Sequence, residues 1–111
     1  MTGSLLRFYL RENERQHGRV VWWWLLTRAR KVGIGGGSAF RAMAGFGRHR
    51  SLRTEKACPL SSTQAIEVEF LVTNEEADKL LEWARRERIR LFYARIPIHF
   101  AALTPAGTEL Q

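Results

Sequence analysis

The stretch "GFGRHRSLRTEK", residues 45–56, places Arg48, His49, Arg50, Arg53 and Lys56 within twelve positions, directly behind a Gly-Phe-Gly step. A guanidinium can grip a phosphate or carboxylate in two places at once, and glycine lets a backbone come close to a ligand. The chemistry on offer is anion binding. Gly45, Gly47 and Arg48 read either as the end of a strand with Phe46 packed inward or as the rim of a ligand cleft. They are not the dinucleotide-binding glycine fingerprint, because no helix pattern follows. The basic run reads either as a solvated loop or as a contact for phosphate or a partner. In the second reading Arg48 and Arg50 stand nearest the ligand, and Arg53 and Lys56 reach outward.

Other reactive side chains are scattered. His17, His49 and His99 share no metal-ligand spacing. Cys58 is the single cysteine, and nothing nominates a base and an orienting group beside it, as a catalytic thiolate requires. Glu67 and Glu69 project from one side of a strand. They are better placed to pair with arginine than to do acid–base work. The sequence therefore nominates no catalytic residue, no metal ligand and no resident cofactor, and predicts a non-enzyme.

The elements that must carry these groups fit a small chain. Its 111 residues suit one domain, 45% of them hydrophobic and 26% charged, as in ordinary globular proteins. The net charge of +7 favours phosphate-bearing partners such as nucleotides, nucleic acids or anionic surfaces. One cysteine allows no intrachain disulfide and predicts a reducing, cytoplasmic setting. The longest apolar run, "VVWWWLL" (20–26), falls short of the roughly 18 residues of a membrane span, and its position predicts no signal peptide.

"SLLRFYLRE" (4–12) alternates, with Leu6, Phe8 and Leu10 on one face, and reads as a half-buried strand. Gly18 marks a turn. Residues 19–32 follow a helical period, with Val21, Trp22, Leu25, Leu26, Ala29 and Val32 on one arc and Gly33 closing the helix. Residues 35–47 read as a glycine-rich strand ending at Gly45–Gly47, and residues 57–64 as a loop. "AIEVEFLV" (65–72) is the clearest strand, with Ile66, Val68, Phe70 and Val72 inward. Thr73 and Glu76 form a capping box opening a helix, with Ala77, Leu80, Leu81 and Ala84 as its stripe. Residues 90–100 alternate again, and Pro97 marks that strand as an edge. The order strand–helix–strand–strand–helix–strand predicts an α+β, ferredoxin-like fold: an antiparallel sheet with two helices on one face. Residues 1–100 make one domain, and residues 101–111 read as a flexible tail.

Three blocks carry a resemblance. "LLRFYLRENERQHGR", with Tyr9, Glu12, Arg15, His17, Gly18 and Arg19, resembles the opening of the PII-like proteins grouped as domain-of-unknown-function family 190. "FRAMAGFGRHRSLRTEK" is similar to that family's second block, and its "GFGR" to the base of the long T-loop of PII signalling proteins. "LSSTQAIEVEFLVTNEEADKLLEW" follows the third block. The family often has Pro and Asp where this chain has Gln64 or Ala65 and Thr73. The resemblance spans about residues 4–100. It implies a PII-like homotrimer with clefts between protomers that take a small anionic ligand such as a nucleotide. It places Gly45, Gly47 and Arg48 beside the ligand and Arg50 to Lys56 in the loop, so that the basic loop 48–56 faces a partner protein, by analogy a membrane transporter. The chain departs from PII proteins before its last strand. Where they have a glycine- and lysine-rich phosphate loop, "RRERIRLF" (85–92) has no glycine, so side-chain guanidinium groups would have to hold an anion there.

Two surface features complete the expectation. Trp23 falls opposite the core arc and predicts a contact between chains or with a partner. The sheet face carrying Leu5, Tyr9, Leu71, Leu91 and Tyr93 is apolar, which suits a homotrimer. The alternative, a nucleic-acid-binding ferredoxin-like domain, needs exposed aromatics on central strands. Glu67 and Glu69 stand there instead and would repel a phosphate backbone.

Overall fold

The computed structural model describes residues 1–46 and 64–109. The elements run β1 (Thr2–Arg11), β2 (Arg15–Gln16), β3 (Arg19–Val20), α1 (Val21–Lys31), β4 (Gly37–Arg41), β5 (Ala65–Thr73), α2 (Asn74–Arg86), β6 (Phe92–His99), β7 (Ala102–Thr104) and β8 (Gly107–Glu109). The main sheet has four strands in the order β4-β5-β1-β6, every neighbouring pair antiparallel. This is the ferredoxin-like arrangement, with α1 and α2 packed on one face.

The period-2 apolar sets of β1 and β5 produce the core. Leu6, Phe8 and Leu10 register against Phe70, Val68 and Ile66, and all six are at most 5% exposed. Burying each large side chain contributes about 1.5–3 kcal/mol. Val21, Leu25 and Ala29 of α1, and Ala77, Leu80, Trp83 and Ala84 of α2, close over them. The capping box forms: the Glu76 N–H donates to Thr73 Oγ1 at 3.1 Å and the Thr73 N–H to Glu76 Oε1 at 3.0 Å. Gly37 is set by packing, since a Cβ there would lie 2.4 Å from the Phe70 ring.

Four readings need correction. The glycine-rich strand ends at Arg41 rather than at Gly45–Gly47. The core arc of α1 is narrower than its period suggests: Trp22 and Leu26 are half-buried beside it and Val32 is exposed. The tail beyond residue 100 contains the β7–β8 hairpin. Finally, β6 has the opposite phase to the one assumed for the open face. Phe8 faces Tyr93, and Leu5 faces Ile96. Tyr93 therefore lies on the helix side, and Phe92, Ala94, Ile96 and Ile98 join Leu5, Tyr9 and Leu71 on the open face; Leu91 precedes the strand and packs on the core. Pro97 does sit on an edge strand. No helix among the described residues is long and apolar enough to cross a membrane.

Candidate functional site

The strands bring the chemistry of the chain to one end of the sheet. β1 and β4 end there, and β5 and β6 begin there, with Arg11 opposite Ala65, Arg41 opposite Ile66 and Tyr9 opposite Phe92. Backbone bonds continue past the strands, from the Glu12 N–H to the Gln64 carbonyl and from the Ala42 N–H to the Ala65 carbonyl, each at 2.9 Å. The segment between Ala42 and Gln64 departs from this point. α1 starts here and α2 ends here, so the same end collects Arg11, Arg15, Arg19, Arg41, Arg86, Arg88 and Arg90.

Glu12 ties this end together. Arg41 donates to it twice, Nε to Oε1 at 3.1 Å and Nη2 to Oε2 at 2.6 Å. The Trp22 indole N–H donates to the Glu12 carbonyl at 3.1 Å. The Arg41 guanidinium holds the Glu12 carboxyl below its ordinary range, and Glu12 in turn raises Arg41. The stem of the 42–64 connection is thereby fixed to β1 and α1. On the open sheet face, Arg7 stands between Glu69 at 2.7 Å and Glu67 at 3.8 Å. The Tyr9 phenol and Glu69 hold its guanidinium above the usual value. Both carboxylates face outward and pair with arginine, as their strand positions suggest.

A small hairpin stands beside the stem. β2 and β3 are joined by His17 and Gly18, with φ of 55° and 75°. Positive φ at both positions is what a tight two-residue turn between twisted strands requires. Gln16 reaches from this hairpin to the α2–β6 loop and satisfies both backbone groups of Arg90: its Nε2 donates to the carbonyl at 2.9 Å, and its Oε1 accepts the N–H at 2.8 Å. His17 Nε2 lies 3.2 Å from the Arg88 carbonyl oxygen. The rings of His17, Trp24 and Trp83 stack edge-on in sequence, with Arg19 over Trp24 and Arg28 over Trp83.

Arg88 is backbone-strained. It ends α2 in the left-handed region, φ 58°, where an L-residue costs roughly 1–2 kcal/mol. The Arg88 N–H donates to the Arg85 carbonyl and the Ile89 N–H to the Ala84 carbonyl, each at 3.0 Å. This is the Schellman ending, which favours glycine at the strained position. α1 ends the same way, but with Gly33 there.

Of the residues expected to bind ligand, Gly45 is exposed just beyond β4, and a Cβ on it would meet nothing within 4 Å. Its backbone lies outside the left-handed region, so neither a turn nor crowding demands glycine. Gly47, Arg48, Arg50, Arg53 and Lys56 lie outside the described residues. Trp23 is 58% exposed, its ring edge-on to Trp22 at 5.7 Å. Met43 and Phe46, at the departure of the same segment, are 97% and 71% exposed. Sequence reasoning missed Gln16 and Trp83. Two-residue strands show no alternation, and the only signal was a His-Gly pair between basic residues.

A ferredoxin-like sheet with two helices on one face and a long connection leaving one sheet end is the architecture of PII-like proteins. Solved structures agree. A candidate PII-like signalling protein of Thermus thermophilus aligns with TM-score 0.59 and 15% identity over 87% of each chain. CPII, a nitrogen regulatory PII-like protein from Thiomonas intermedia K12, aligns in a structure bound to ADP and bicarbonate with TM-score 0.55 and 20% identity, covering 88% of this chain and 89% of that one. A second CPII structure, bound to ADP, AMP and bicarbonate, aligns with TM-score 0.51 and 18% identity, covering 90% and 96%. At such identities these likenesses show the fold. At the level of sequence, residues 3–88 match the family DUF190, described as uncharacterized ACR, COG1993. A UPF0166 protein of Aquifex aeolicus (strain VF5) is 35% identical over 79 residues, 71% of this chain and 75% of that protein. The chain belongs to the DUF190 family.

Proposed function

We propose that this protein is a PII-like regulatory binding module that takes a small anionic ligand, a nucleotide foremost, at the basic end of its sheet. In this reading the ligand sits in clefts between the subunits of a homotrimer. Gly45, Gly47, Arg48 and Arg50 line the ligand, and Arg53 and Lys56 face a partner protein. The observation that carries the reading is the convergence of the free strand ends, the base of the 42–64 connection and a cluster of arginines at one end of the fold. A fold neighbour bound to ADP, AMP and bicarbonate supports the ligand class. Exposed Met43, Phe46 and Trp23 give the same region apolar surface for a partner or a base. The open sheet face, with Leu71, Phe92, Tyr9 and Ile96 exposed, supports burial between subunits.

A thermal-shift screen of nucleotides, inorganic phosphates and bicarbonate, with mass measured by sedimentation in the same buffer, tests this. The expected result is a concentration-dependent rise in melting temperature with an adenine nucleotide on a species of three chains. A monomer stabilised by no anion would contradict it. The nucleic-acid alternative is disfavoured by the Arg7–Glu67–Glu69 cluster on the open face, which leaves the central strands acidic or neutralised.

A further inference from the structure

From Arg15 to Phe46 the chain carries Arg15, Arg19, Arg28, Arg30, Lys31 and Arg41 and no aspartate or glutamate. α1 lies within this stretch, and its charges are not those that stabilise a helix. No acidic side chain stands in its first turn, its N-cap Val20 makes no side-chain hydrogen bond, and Arg19 comes just before it. A cation there opposes the helix dipole, which accounts only for the basic last turn. Among the described residues Arg15, Arg19, Arg30 and Lys31 form no ion pair. With Val21, Leu25 and Ala29 against the sheet, the 100° period turns Trp23 and Thr27 outward, flanked by Arg30 and Lys31. All four are exposed. Trp23 meets only the Trp22 ring among the described residues, so its indole N–H has no acceptor there. The Trp22 indole reaches Glu12, and Glu12 holds Arg41, two residues before Met43. Exposed Trp23, Met43 and Phe46 thus share one end of the fold. α2 differs: it exposes Glu75, Asp78 and Glu82 around Lys79.

We infer that the outer face of α1, centred on Trp23 and joined by Met43 and Phe46, docks on the anionic surface of a lipid bilayer. Charge selects this occupant. The cations are unpaired, of one sign and spread along the stretch, which complements a surface of many like charges. Each Lys or Arg near such a surface contributes about 1 kcal/mol. An indole suits the headgroup level, where its ring sinks and its N–H stays wet. The acids of α2 orient the molecule, because a negative surface repels that helix and draws α1. Charge and apolar anchors are each weak alone, and together they give reversible attachment. The helices lie across the sheet from the proposed subunit interface, so assembly leaves α1 uncovered. The inference goes beyond the ligand reading, since no soluble ligand takes part.

The test titrates the full chain with vesicles of phosphatidylcholine alone and of phosphatidylcholine with phosphatidylserine, reading flotation and tryptophan emission. The expected result is binding to the serine-containing vesicles alone, weakened by salt. Arg30→Gln and Lys31→Gln each weaken it about fivefold, and Trp23→Ala about tenfold. Lys79→Gln, on α2, leaves it unchanged. These side chains are exposed, so every variant melts near the native temperature. Bromine-labelled lipid quenches the native emission. Trp23→Phe keeps an apolar ring and still binds, but loses that quenching. A loss in Lys79→Gln equal to that in Arg30→Gln would reduce the attraction to net charge and overturn the docking face, as would quenching that persists in Trp23→Phe. Equal binding to both vesicles overturns the anionic bilayer as occupant. Binding to neither overturns it too and leaves the face to a protein partner. None of these outcomes touches the nucleotide reading, because no nucleotide is present.

Discussion

Glu12 shows how one side chain can couple the candidate site to the fold. Its carboxylate pins Arg41 at the end of β4, while its carbonyl receives the Trp22 indole from α1. Because the folded state holds Glu12 below its ordinary pKa, its contribution is full above the unfolded value, about 4.3, and is lost as pH falls through the lower folded value. Acidification through that lower folded value should therefore release Arg41 and loosen the stem. Amide exchange at Ala42 and Ala65 should rise there in the native protein, and should already be fast at neutral pH in Glu12→Gln. Unchanged exchange in that variant would show that the backbone ladder alone holds the stem. Arg41 is exposed and Glu12 half-buried at the surface, so the effect belongs to local opening more than to global stability.

Elements differ in how openly the sequence declares them. β1 and β5 are buried on one face only, so their period-2 pattern is clean and their registered pairs form the core. The capping box was equally legible, because its two hydrogen bonds are local. β6 was not. Its apolar set, Phe92, Ala94, Ile96 and Ile98, looks like a core face, yet the β1 register turns it to the open side. At this edge the helix-side position is polar: Arg95 donates to Asp78 Oδ1, the Asn74 carbonyl and Ser4 Oγ. The β2–β3 hairpin was invisible for a different reason, since its partners are the backbone groups of a loop far along the chain. The base of the 42–64 segment and the arginine-rich 85–92 stretch were legible by composition, whereas the hold of Gln16 on the Arg90 backbone emerged only through geometry. Gly37 marks the close packing of the β4 edge on Phe70. Phe70 is buried and cannot yield, so Gly37→Ala should destabilise the fold by about 1–3 kcal/mol, read as a lower denaturant midpoint with the slope unchanged. A neutral result would mean that β4 pairs more loosely with β5 than its register suggests.

At the scale of the whole molecule, two apolar surfaces face outward. The open sheet face carries apolar side chains around the Arg7–Glu67–Glu69 cluster, and a subunit interface would cover both. In the proposed homotrimer a charge placed in this interface without a partner is costly, so Ile96→Asp should lower the sedimenting mass from three chains to one; an unchanged mass would place the interface elsewhere. Trp23 offers the second surface. If Trp23→Ala changes neither that mass nor binding to vesicles or to a partner protein, its exposure is incidental. The central claim concerns the basic end, and single charge-removal variants titrated against ADP and against mixed-sequence RNA at two salt concentrations test it most directly. The account predicts saturable ADP binding that Arg48→Ala weakens by roughly tenfold, little change in Lys56→Ala, and weak RNA binding. No ADP binding at all, with every lost cation costing RNA affinity about equally and steeply with salt, would contradict it.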